Sequence, residues 1–305
     1  MRKLMAMAAG AATLAAGAAV AGTGHQWGDY HWGNVGESPT LNLRHKFSSA
    51  TKSKWLPLYL TNGENAFDEW NGDPQSPLVM NDLGEDNTKD SATCDPRAGE
   101  ILVCSDEYGS NTGWVGIAQI WPSGTRITRA NAKMNDSFYE YDPFYNTASQ
   151  REFVMCHEVG HTFGLGHLDE AFNNTNLGSC MDYTANVMGP PDNSDPGQVD
   201  WDVLNSSTMY GAGGGGGTTD PDPQPCKGRG CNGGGGGGGK GKKLDGLVAS
   251  PNASERGLER GRFGGILSYD AEGRPNAFVK DLRGGKRITF VMWAKNYRPE
   301  GSKRR

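Results

Sequence analysis

Outside Leu4–Val20 the 305-residue chain has no run approaching the roughly 20 apolar residues that a membrane-spanning helix needs, which excludes a multi-span helical membrane protein. Cysteine is scarce, with six residues and none between Gly22 and Cys94. Histidine is equally scarce at six. The acidic stretches Asp82–Asp90 and Asp192–Asp195 lack the spacing of an EF-hand loop, so their clustered oxygens leave Ca2+ only a weakly supported ligand. With a net charge of −5 no nucleic-acid partner is expected.

Charge and composition divide what remains. Residues 1–239 carry 14 basic and 28 acidic side chains, a net of −14, whereas residues 240–305 carry 16 and 7, a net of +9. Arg2 and Lys3 precede an Ala-rich run ending at Ala19-Val20-Ala21, which reads as a signal peptide over 1–21 and an exported, extracellular protein; a membrane anchor is the alternative. Residues 22–210 are enough for one domain with its own core. Residues 211–245 are a Gly/Pro-rich linker, too poor in apolar side chains to fold alone. The basic region 246–305 contains Gly265–Tyr269 and Arg287–Val291, which suit a small β module. Its charge suits contact with an anionic surface; a solvated tail is the alternative. Six cysteines in an exported chain imply disulfides, and sequence leaves about fifteen connectivities open; position favours Cys94–Cys104, which brackets a short loop, Cys156–Cys180, which sit beside His157 and Met181, and Cys226–Cys231, which share a Gly-rich tail.

Three of the six histidines fall within His157-Glu158-Val159-Gly160-His161-Thr162-Phe163-Gly164-Leu165-Gly166-His167. On a helix His157 and His161 lie one turn apart on one face, where both can bind one Zn2+. Glu158 then lies beside the open coordination position as a general base. Gly164 is suited to a left-handed turn that returns His167 as a third ligand. The alternative is an ordinary helix with surface histidines, yet the whole pattern should arise by chance in only about one in fifty thousand such chains. His25, His31 and His45 are read as structural or exposed.

These residues resemble the long zinc signature of the metzincin metallopeptidases. Ser179-Cys180-Met181-Asp182-Tyr183 looks like the Met-turn of that clan, with Met181 as the floor beneath the histidines. Tyr183 matches the position where astacin-like and serralysin-like members carry a tyrosine able to reach the metal, as a fifth ligand or transition-state stabiliser; a buried structural tyrosine is the alternative. Phe153–Tyr183 is most similar to secreted bacterial matrixin-like peptidases, and the likeness extends back to about Trp27. The resemblance implies a zincin-like α+β fold, with a twisted mixed β-sheet packed on an active-site helix. It further implies a secreted monomeric zinc endopeptidase that acts on an extended polypeptide. Trp114–Trp121 resembles the sheet-edge strand that pairs with substrate in that clan; an interior strand is the alternative. A cysteine switch, which latent relatives use, finds no candidate between Gly22 and Cys94.

Two further readings come from other classes. One is a zinc-bearing surface-binding or adhesion protein with a vestigial peptidase site. The other is a zinc hydrolase acting on a non-peptide amide. Locally, Thr40–Arg44, Leu78–Met80, Glu100–Cys104, Val115–Trp121 and Arg126–Met134 read as strands. Trp55–Trp70 reads as a core-facing helix split near Asn62-Gly63. Thr147 and Gln150 form a capping box opening a helix from Ala148 to about Phe163, whose Phe153, Val154 and Phe163 should bury against the sheet. Asp169 is placed either to hold a ligand histidine or in a solvated acidic turn.

Overall fold

Period-two alternation at Thr40–Arg44 becomes strand β1 (Thr40–Phe47), whose Leu41, Leu43, His45 and Phe47 are buried between half-exposed neighbours. The computed structural model describes residues 25–60, 66–211 and 262–303. The signal-peptide segment, Asn62-Gly63, nearly all of the linker and the Cys226–Cys231 pair lie outside the described residues.

The fold is α+β. Helices α1 (Lys52–Leu60) and α2 (Ala66–Gly72) follow β1. Strands β2 (Val79–Glu85), β3 (Glu100–Asp106), β4 (Trp114–Ser123) and β5 (Arg126–Asn135) then precede helices α3 (Asp136–Tyr139), α4 (Ala148–Thr162) and α5 (Gln198–Leu204). Strands β6 (Gly265–Tyr269), β7 (Pro275–Leu282) and β8 (Gly285–Trp293) close the chain. All eight strands form one mixed sheet in the order β2-β1-β3-β5-β4-β8-β7-β6. β2, β1, β3 and β5 run parallel, while β4 and the three C-terminal strands join antiparallel.

This order corrects two expectations. β4 is an interior strand, flanked by β5 and β8, and so is not an open sheet edge. The C-terminal strands do not form a module of their own, because β8 hydrogen-bonds to β4. The reason is legible in the residues. Trp114–Trp121 is apolar on both faces of the pleat, and a strand of that kind left at an edge would expose a template for aggregation.

The main core lies between the sheet and α1, α2 and α4. Trp55, Tyr59 and Trp70 are buried there, as the helical spacing implies. Complete burial of such side chains stabilises by about 2–3 kcal/mol each. A smaller core on the other face gathers Trp114, Ile117, Phe263, Phe278, Val291 and Trp293, so the C-terminal segment is packed on both sides of β4. Cys94–Cys104 and Cys156–Cys180 are both bonded. Among the described residues no helix is long and apolar enough to cross a membrane.

Asp136 anchors α1 to the sheet, its carboxylate accepting from Thr51 Oγ1 and Trp55 Nε1, both at 2.6 Å. Burial outweighs these bonds and pushes its pKa from 3.8 up to about 6. A carboxyl that holds its proton more tightly when folded favours the folded state at low pH, and this contribution is lost as pH rises through about 6. Asp136→Asn cannot ionise. Its stability relative to the parent should therefore rise by up to about 3 kcal/mol between about pH 4 and pH 7, measured by urea denaturation; a pH-independent difference would contradict the assignment.

Candidate metal centre

Helix α4 begins where Thr147 accepts the Gln150 amide through its side chain at 3.2 Å. Only this half of the expected capping box is seen, because the Thr147 amide donates to Tyr145 O at 2.8 Å. Phe153, Val154 and Phe163 are buried as expected, although Phe163 meets Trp70 edge-on at 5.4 Å. The helix ends at Thr162, with Gly164 at φ 99°. Gly164 N donates to His161 O and Leu165 N to Gly160 O, a Schellman closure that only a left-handed residue permits cheaply. A Cβ at Gly164 would lie 2.1 Å from Tyr30 O. The segment carrying Tyr30 straps the turn: Trp27 N donates to Gly164 O, and Trp32 Nε1 to Thr162 O, each at 2.8 Å.

This turn brings His167 back to the helix. His161 Nε2 lies 3.0 Å from His157 Nε2 and 3.0 Å from His167 Nε2. Each Nδ1 faces an acceptor: Cys180 O at 2.7 Å for His157, Leu165 O at 2.8 Å for His161, and Glu170 Oε1 at 2.7 Å for His167. Carbonyl and carboxylate oxygens accept, so the Nδ1 atoms carry the protons and three bare Nε2 lone pairs converge. Burial also holds His157 and His161 well below the ordinary histidine pKa, which keeps them neutral. Converging lone pairs repel one another, an arrangement that a divalent cation would relieve. Tetrahedral coordination at about 2.0–2.1 Å sets neighbouring nitrogens about 3.3 Å apart, close to the spacing seen.

The turn Ser179–Tyr183 is fastened to this group. The Cys156–Cys180 disulfide joins α4 to the turn, and Leu168 N donates to Met181 O at 2.8 Å. Met181 is fully buried, and its Sδ lies 2.5 Å from where a Cβ on Gly160 would stand. Gly160 is thus the space that lets Met181 close against α4. The Tyr183 hydroxyl lies 3.3 Å from His167 Nε2, and burial raises its pKa well above 10, so it is a neutral phenol at the rim of the cluster.

Glu158 is fully buried, with neither carboxylate oxygen hydrogen-bonded among the described residues. Burial raises its pKa well above 4.5. A Cβ at Gly116 on β4 would lie 2.3 Å from Glu158 Oε1, so β4 runs directly against the carboxylate and a glycine leaves it room. Comparison with protein-family models, with curated proteins and with solved structures finds no match for this chain. Geometry alone carries the reading.

The structure adds residues that the sequence reading missed and moves one. Glu170, and not Asp169, holds His167, while Asp169 accepts from Ala171 N and Asn174 Nδ2. Asn276 from β7 donates to Glu170 Oε1 at 2.6 Å, and the Phe290 ring of β8 stacks on His161 at 4.5 Å with planes 9° apart. The Asp82–Asp90 carboxylates turn to separate protein donors, Asp86 meeting Arg97 and Thr88 and Asp90 meeting Ala92 N. Of Asp192–Asp195, only Asp195 joins a converging carboxylate group, with Glu69 and Glu152. His25 pairs with Asp200 at 2.6 Å, His31 contacts Thr125, and His45 stacks on Phe47; none joins the cluster.

Gly164→Ala should lower the unfolding free energy by about 2–4 kcal/mol, combining left-handed strain with a backbone clash. Urea denaturation measures this, and a change below about 0.5 kcal/mol would contradict the geometry of the turn.

Proposed function

We propose that this chain is a secreted zinc endopeptidase of the metzincin kind, acting as a monomer on extended polypeptide. The observation that carries the reading is the convergence of the His157, His161 and His167 Nε2 atoms, each ring fixed through Nδ1, with the adjacent Glu158 carboxylate unpartnered among the described residues. The mixed sheet over α4, the buried Met181 and the two disulfides support it.

Three neutral imidazoles suit zinc and leave a position for reacting groups. Zinc supplies Lewis acidity there, polarising a carbonyl and lowering the pKa of water from about 15.7 towards about 7. Glu158 takes the proton of the attacking water and returns it to the leaving amine. Its apolar surroundings suit a carboxyl that must change protonation state within one turnover. Glu170 holds His167 in the Nδ1–H tautomer, and Asn276 holds Glu170. The Tyr183 phenol is placed to donate a hydrogen bond to developing negative charge.

The burial of Glu158 beneath β4 and of His161 beneath Phe290 favours a second reading, a zinc-bearing surface-binding protein with a vestigial site. Chelator-sensitive cleavage of a denatured protein supports the first; binding to anionic vesicles or polysaccharide without cleavage supports the second.

Glu158→Gln should keep one equivalent of zinc and lower such cleavage by about 100-fold or more. Full activity in this variant would overturn the assignment of the base. Glu170→Ala should weaken zinc binding about 10–100-fold in competition with a chromophoric chelator. Unchanged affinity would remove Glu170 from the site.

A further inference from the structure

We propose that β6–β8 are an intramolecular occupant of the substrate cleft, paired with β4 in place of an extended polypeptide, so that the intact chain is a latent form. The inference rests on the peptidase reading, since it assigns the cleft that reading requires.

Of the strands between residues 40 and 135, β2 and β4 are the two terminal ones, and β4 lies over the site through Gly116 and Glu158. An extended substrate gains main-chain hydrogen bonds by adding to such a strand. That position is filled. β8 runs antiparallel to β4 with Gly116 opposite Met292, Ala118 opposite Phe290 and Ile120 opposite Ile288. Alternation along β8 sends Ile288, Phe290 and Met292 to the core on the site face and Val291 and Trp293 to the other. Phe290 therefore lies on His161, while Trp27 meets its ring edge-on at 4.9 Å. β7 contributes Asn276 to Glu170. With these strands in place His157 and Glu158 have no exposed surface and His161 has 1 %, so a polypeptide reaches the base only in the fraction of molecules in which these strands have opened, and cleavage by the intact chain is correspondingly slow.

The chain around these strands suits an internal inhibitor. A Gly-rich stretch separates them from the body, and a tether of that composition gives its two ends an effective mutual concentration on the order of millimolar. Opposite charge, −14 on residues 1–239 and +9 on 240–305, adds attraction between them. Arg274 lies over the Phe172 ring at 5.5 Å, and Lys286 donates to the Tyr30 hydroxyl at 2.8 Å, so basic residues of the segment hold both flanks of the site.

Severing the tether of an otherwise intact protein is the test. A site-specific protease sequence is inserted within the Gly tract at 233–239, and zinc-loaded protein is compared before and after cutting. The readouts are cleavage of a quenched fluorescent peptide and binding of a fluorescent peptide hydroxamate, which needs the metal and an open cleft but no hydrolysis. Cutting makes the contact bimolecular and weakens it by on the order of a thousandfold at micromolar protein. Both signals should then rise about tenfold or more on dilution of cut protein to nanomolar, and stay low at every concentration of uncut protein. Val291→Asp, on the face away from the site, should raise both signals without cutting. Hydroxamate binding that rises without hydrolysis keeps the inference and removes the peptidase reading. Uncut protein that binds hydroxamate as tightly as diluted cut protein overturns the inference. Protein that takes up no zinc removes both.

Discussion

Three imidazole lone pairs aimed at one point are electrostatically costly unless a cation stands between them, and the local structure is arranged to hold them there. Each ring is pinned from behind through Nδ1, two by backbone carbonyls and one by Glu170. The carbonyls belong to Cys180 and Leu165, so the placement of the three rings depends on the turn at Gly164 and on the turn at Ser179–Tyr183. One turn is closed by Gly164 and strapped by Trp27 and Trp32. The other is covalently joined to the helix by Cys156–Cys180. Space is as constrained as charge: Gly160 admits Met181 and Gly116 admits Glu158, and any side chain at either position would meet the group it makes room for.

The sheet connects this site to the C-terminal strands. β4 is the shared element, in contact with α4 on one face and hydrogen-bonded to β8 along its free side. Its apolar sequence makes an unpartnered state unfavourable, so some strand must cover it. In the intact chain that strand is β8, with Phe290 over His161. An exposed metal cleft and a well-covered β4 are mutually exclusive here, and this links the proposed chemistry to the proposed latency.

Much of this was legible from local sequence. The converging histidines, the adjacent Glu158 and the left-handed turn follow from spacings of one to six residues, over which helix and turn geometry is reliable. The two disulfides were readable because Cys94 and Cys104 bracket a short loop, while Cys156 and Cys180 sit beside His157 and Met181. Other features depend on chain path. Asp169 and Glu170 are both acidic neighbours of His167, and only the course of the turn decides which reaches it. Gln150 has the right spacing for a capping box, but the Tyr145 carbonyl takes the Thr147 amide. The run Trp114–Trp121 states that β4 is covered on both faces, yet nothing local identifies a partner strand beginning at Gly285. Phe290 and Asn276 reach the site through sheet register, which residue patterns near the motif do not encode.

Zinc K-edge X-ray absorption on the full chain loaded with one equivalent of metal tests the central claim most directly. The account predicts three imidazole nitrogens at about 2.0–2.1 Å and no sulfur ligand. A spectrum with fewer imidazoles, or one dominated by carboxylate or thiolate scattering, would contradict it.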